Sequence, residues 1–252
     1  MMTDVWISAA ALCATTLLGS LLGFAIKELP HKWNDTVLGY CAGVMLAAST
    51  LGLIVPAFEE GGSSMWWLVA LGVMGGAAFL NVLDLLTPHL HHITGLDPER
   101  HASGTSLSRV MLFVMAIALH KLPEGIAAGV GFGSGNVSQA LMIAGGIALQ
   151  NIPEGMVIIG PMLAAGVSPK KTFIAAMITG LVEVLGTLIG YFAVTVASAI
   201  LPFALAFAGG TMLYVVSDEM IPETHAHGSE RGATYALLAG FCVMLVTDVL
   251  LG

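Results

Sequence analysis

His120 and Glu124 stand four residues apart in A-L-H-K-L-P-E-G, Ala118 to Gly125, and Gln150 and Glu154 repeat the spacing in L-Q-N-I-P-E-G, Leu149 to Gly155. At 3.6 residues per helical turn, each pair shares one helix face. An imidazole nitrogen, an amide oxygen and two carboxylates form a mixed nitrogen and oxygen set that suits Zn²⁺ and also accepts Fe²⁺, Mn²⁺, Co²⁺ or Cd²⁺. The expected chemistry is the holding of one divalent cation between two facing helices. Pro123 and Pro153 each remove a backbone donor within the motif and free a carbonyl upstream. Within a membrane that is tolerated where a neighbouring helix, a cavity or an ion satisfies the carbonyl.

The elements that must position these residues are transmembrane helices. Hydrophobic residues make up 57% of the chain and charged residues 10%, with a mean hydropathy of +0.91; soluble domains are about a quarter charged. A span needs roughly 20 apolar residues, and eight such segments are expected near 4–26, 36–57, 64–86, 109–130, 137–161, 171–193, 199–221 and 233–251. The expected fold is therefore an all-α integral membrane protein, a single transmembrane domain over 1–252 with a polar, His-containing cytoplasmic loop near 87–108. The first segment reads as a span and not a signal peptide, because Met-Met-Thr-Asp is acidic and the apolar run is long.

Lys27, Lys32, Arg100, Arg109, Lys170, Lys171 and Arg231 all fall on one side of this arrangement. The positive-inside rule makes that side cytoplasmic, with both termini outside. The formal charge of -8 is not an acidic surface, since several of the sixteen acids lie in hydrophobic segments. There is no basic patch for nucleic acid and no G-x-x-x-x-G-K-[ST] for ATP. Cys13, Cys41 and Cys242 lie singly in apolar sequence and read as buried small hydrophobes. Gly19/Gly23, Gly39/Gly43, Gly72/Gly76, Gly125/Gly129 and Gly186/Gly190 have the small-xxx-small spacing of close helix packing, a spacing too common in Gly-rich sequence to assign any one interface.

The remaining basic residue, Lys121, falls inside the fourth segment beside His120. A charge at the bilayer centre costs roughly 2.5–3.5 kcal/mol, so it needs a partner or a purpose. Glu183 of the sixth segment lies at a matching depth. Interhelical hydrogen bonding is the alternative for His120 and Glu124 alone; the duplicated motif and Glu183 weigh against it.

The sequence resembles the ZIP family of divalent metal transporters, in its GufA-like bacterial branch, over nearly the whole chain. The resemblance rests on A-L-H-K-L-P-E-G-I-A-A-G, L-Q-N-I-P-E-G-M-V-I-I-G-P, T-G-L-V-E-V-L-G, G-V-M-L-A-A-S and A-G-G-T-M-L-Y-V-V-S-D-E-M-I-P-E. It implies a primary transport site of His120, Glu124, Gln150 and Glu154, with Met45 as an added ligand by alignment of G-V-M-L, although methionine is also common core filler. It implies a neighbouring second site at Lys121, Asn151 and Glu183. A protonated ammonium does not ligate metal, so the expectation is a single-metal site in which Lys121 replaces the second ion's charge and pairs with Glu183 or Glu124. The resemblance further implies an inner release route through Asp84, His89, His91 and Glu219, where polar helix ends and solvated loops are the plainer alternative.

The expected function is secondary transport of Zn²⁺, with Fe²⁺, Mn²⁺ and Cd²⁺ as further cargo, into the cytoplasm across a bacterial inner membrane. The metal is cargo, and no resident cofactor is expected. Broken helices around a midplane site fit alternating access; the family implies an elevator, the first, fourth, fifth and sixth helices moving against the others, in a homodimer. An intramembrane zinc hydrolase is a rival reading, but H-E-x-x-H is missing and no spare general base is evident. A passive metal channel would use the same residues.

Overall fold

The computed structural model describes residues 2–26, 30–86, 106–164 and 166–251. All regular structure among them is helical. The long helices are α1 (Met2–Ile26), α2 (His31–Ala47), α4 (Trp66–Leu86), α5 (Ser106–Gly133), α6 (Val137–Ala164), α7 (Pro169–Val196), α8 (Leu201–Val215) and α10 (Glu230–Leu251). The short helices α3 (Val55–Gly61) and α9 (Ile221–Thr224) prolong α2 and α8 through π-helical turns, Ala48–Ile54 and Val216–Met220.

Several helices start earlier or end later than hydropathy suggests. Pro30, at φ -53° and ψ 141°, stands at the N-terminus of α2 and lets K-W-N-D join its first turns. Pro169 opens α7 in the same way, after Ser168, and Gly62 at φ 64° ends α3 beyond Glu59 and Glu60. Among the described residues, seven helical stretches are long and apolar enough to cross a membrane: Met2–Ile26, Lys32–Gly61, Ser63–Leu83, Val137–Gly160, Pro169–Val196, Leu201–Thr224 and Glu230–Leu250. Helix α5, which carries the first motif, matches α6 and α7 at 28 residues each but is not among the seven.

The outer faces carry large exposed apolar side chains such as Ile7, Leu21, Leu71, Leu185 and Val246. All four tryptophans, Trp6, Trp33, Trp66 and Trp67, are exposed near helix beginnings, where an interfacial aromatic belt belongs. The helices associate in two sets. Helix α1 lies along α6 and α7, and α5 lies along α7 and α6; α2 lies along α10 and α4 along α8. The sets meet mainly where α5 touches α8 and α2 touches α6.

Breaks around the motif prolines do not occur: α5 runs unbroken through Pro123 and α6 through Pro153. The irregular turns lie instead one step ahead of Pro56 and Pro222. A proline lacks the N–H that its i-4 carbonyl would accept and crowds that carbonyl. A wider turn absorbs both effects: the Val55 amide reaches back to the Thr50 carbonyl and the Ile221 amide to the Val216 carbonyl. The Gly52 carbonyl, four residues ahead of Pro56, accepts from Gln139 Nε2 of α6 at 2.9 Å.

Candidate metal-transport site

Helices α5 and α7 approach backbone to backbone, which sets the rotation of the first motif. A Cβ on Gly125 would overlap the Glu183 carbonyl, one on Gly129 the Thr187 carbonyl, and ones on Gly186 and Gly190 the Leu122 and Ile126 carbonyls. Helix α1 meets α6 likewise, Gly19 against the Ile152 carbonyl and Gly155 against that of Thr16. These seams hold the i, i+4 faces of α5 and α6 toward each other and toward Glu183.

The result is a buried polar cluster. Lys121, Glu124, Gln150, Asn151 and Glu183 are each no more than 1% exposed. Lys121 is among the largest fully buried side chains in the molecule. Its Nζ donates to Glu124 Oε2 at 2.7 Å, to Asn151 Oδ1 at 2.5 Å and to Glu154 Oε2 at 2.5 Å. Gln150 Nε2 donates to the second Glu124 oxygen at 2.9 Å. Asn151 Nδ2 donates to both Glu183 oxygens, at 2.8 and 3.0 Å, and to the Leu12 carbonyl at 3.2 Å. Thr16 Oγ1 adds a bond to Glu183 Oε2 at 3.3 Å. A chain of charge-assisted bonds thus links α5, α6, α7 and α1, and such bonds are stronger than neutral ones.

His120 turns to a different neighbour. Its Nε2 lies 2.8 Å from Glu219 Oε1, and Glu219 sits on the π-helical turn Val216–Met220 ahead of Pro222. Among the described residues, no three His, Cys, Asp or Glu side chains converge to hold a metal, because Nζ of Lys121 stands between Glu124 and Glu154 while His120 faces Glu219. Gln150 Oε1 is buried and has no hydrogen-bond partner. It is an orphan acceptor on the amide whose Nε2 already bonds Glu124.

A family model described as ZIP Zinc transporter matches residues 97–248. The chain belongs to the ZIP family. It is 42% identical over 243 residues to "Zinc transporter GufA" of Myxococcus xanthus, covering 94% of each chain. It is 37% identical over 252 residues to "Zinc transporter ZIPB" of Bordetella bronchiseptica, covering 98% of this chain and 81% of that one. It is 34% identical over 321 residues to "Zinc transporter ZIP11" of Homo sapiens, covering 94% of each. ZIP proteins are transporters and not enzymes, so this is a multi-pass membrane protein of bacterial type that transports metal ions, and the hydrolase reading falls.

In this ZIP chain, Glu124, Gln150 and Glu154 of the expected primary set are joined through Lys121 and through the Gln150 bond, while His120 is joined to Glu219, which the family resemblance implied for the release route. Lys121 pairs with Glu124 as expected and also with Glu154; it reaches Glu183 only through Asn151. Met45 is 1% exposed within the main apolar core. The side chain of Asp84, and His89 and His91, lie outside the described residues. Sequence reasoning passed over Thr16, which supports Glu183 from α1; a hydroxyl inside a leucine- and alanine-rich span was the available signal. It also passed over Asp35, fully buried with Oδ1 3.1 Å from His227 Nδ1 and Oδ2 unpartnered.

Proposed function

We propose that this ZIP protein carries Zn²⁺, with Fe²⁺, Mn²⁺ and Cd²⁺ as further cargo, into the cytoplasm through a site on α5 and α6. His120, Glu124, Gln150 and Glu154 are the ligands, and Met45 approaches as an added soft donor. Lys121, Asn151 and Glu183 form the neighbouring position, where the ammonium supplies positive charge in place of a second ion. Asp84, His89, His91 and Glu219 form the inner release route, and the His120–Glu219 bond at 2.8 Å brings ligand and route into contact.

The observation that carries the reading is the buried cluster itself. Three carboxylates and two amides within apolar helices are costly in lipid unless a cation is their purpose. Eight spans with both termini outside place the cluster near mid-membrane, with α5 as the fourth span. The division of the helices into two sets supports an elevator in which α1, α5, α6 and α7 move against the rest, and the second set forms a homodimer contact. The membrane is the bacterial inner membrane.

Uptake of Zn²⁺ and Cd²⁺ into proteoliposomes tests this. Glu154→Ala should abolish uptake of both, a loss of at least about 10²-fold for a required ligand; uptake at the wild-type rate would refute the site. Saturation with counter-transport marks a carrier, and non-saturating flux marks a channel.

A further inference from the structure

Lysine ammonium has three N–H donors and no acceptor, and all three are spent here, on Glu124 Oε2, Asn151 Oδ1 and Glu154 Oε2. Two of those acceptors belong to the carboxylates that the reading above assigns to the cargo. Both Glu124 oxygens are already engaged, since Gln150 Nε2 donates to the other one. A zinc ion bonds carboxylate oxygen at about 2.0–2.2 Å, and a dication on Glu124 and Glu154 would stand against the ammonium as a like charge. The two cations therefore exclude each other from the same oxygens.

An exit for the ammonium is built beside them. Asn151 accepts from Nζ with its carbonyl oxygen and donates to both oxygens of Glu183 with its amide nitrogen. One amide thus bridges Lys121 to a third carboxylate, and the lysine stem is long and unbranched enough to turn toward it.

We propose that Lys121 is a tethered competitor of the transported dication: its ammonium holds the Glu124 and Glu154 oxygens and moves toward Asn151 and Glu183 when the cargo takes them. This rests on Glu124 and Glu154 being cargo ligands. Sodium or potassium brings no more charge than the ammonium it would displace, whereas a dication does, so the tether favours divalent cargo. It also weakens cargo binding and speeds release, because the ammonium returns to the carboxylates as the ion leaves.

The test is Cd²⁺ binding to the purified full-length protein in detergent, by calorimetry. Lys121→Met should bind Cd²⁺ at least about tenfold more tightly than wild type, as removal of a close like charge predicts. Lys121→Arg, which keeps the charge, should gain no affinity. Lys121→Met binding no tighter than wild type, or Lys121→Arg gaining as much, overturns the proposal. Should Lys121→Met not fold, anomalous scattering from wild-type crystals with Cd²⁺ decides. Cadmium on Glu124 and Glu154 with Nζ beyond hydrogen-bond reach of both supports the competitor; Nζ still bonded to either overturns it. Failure of the underlying site looks different: Glu154→Gln would then bind Cd²⁺ as wild type does, whatever happens at Lys121.

Discussion

Single side chains repair what the prolines and buried charges of this chain would otherwise leave open. Gln139 donates to the carbonyl of buried Gly52, four residues ahead of Pro56, which has no N–H to offer it. Gln139→Leu keeps the volume and removes the donor. It should cost about 1–3 kcal/mol, the penalty of an orphaned buried acceptor. Thermal unfolding in detergent reads this as a lowered midpoint, and an unchanged midpoint would mean that the carbonyl finds another donor. His227 makes a similar repair from the turn before α10, engaging one oxygen of the fully buried Asp35.

At the level of helices, small residues decide which elements touch. Each of the five Gly-xxx-Gly pairs named above lies at a close crossing: Gly19/Gly23 on α6, Gly39/Gly43 on α10, Gly72/Gly76 on α8, and Gly125/Gly129 against Gly186/Gly190. In lipid, association depends on such packing and on interhelical hydrogen bonds, because solvent supplies no hydrophobic drive between helices. Gly129→Leu would drive a side chain into the backbone of α7 at Thr187. That should cost more than the about 1–3 kcal/mol of ordinary overpacking, since backbone gives way less readily than side chain. Gly145→Leu is the control, on a helix of the same bundle but with nothing within 4 Å of the added Cβ. The expected result is loss of monodisperse, Cd²⁺-binding protein for Gly129→Leu alone; equal behaviour of the two variants would remove the close crossing as the cause.

For the molecule as a whole, the two helix sets and the distribution of basic residues bear on how the cluster lies in the membrane. The proposed orientation, both termini outside, predicts that Ser138 at the start of α6 is external and Ser229 before α10 cytoplasmic. A membrane-impermeant maleimide on intact cells should label Ser138→Cys and spare Ser229→Cys, each in a background lacking Cys13, Cys41 and Cys242. The reverse pattern would invert the orientation and the direction of transport drawn from it. The same placement puts Glu219, through the π-helical turn, on the set opposite to His120. The 2.8 Å bond between them therefore crosses the boundary between the sets.

Much of this was legible in the sequence, for reasons that are local. Composition dictated a membrane protein, because a chain 57% hydrophobic cannot hide that surface in water. The four-residue spacing of His120/Glu124 and Gln150/Glu154 fixed which polar groups share a helix face, since that follows from 3.6 residues per turn. What only the tertiary structure decided is which partner each polar group takes. Lys121 bonds Glu154 as well as Glu124, and His120 bonds Glu219, because those pairings depend on how far each helix is rotated about its axis. The glycine seams set that rotation for α5 against α7 and for α6 against α1. The π-helical turns ahead of Pro56 and Pro222 shift it again, by one residue in the helical register. Residue spacing within one helix carries no information on either, so the central ammonium between two carboxylates became visible only once four helices were packed around it.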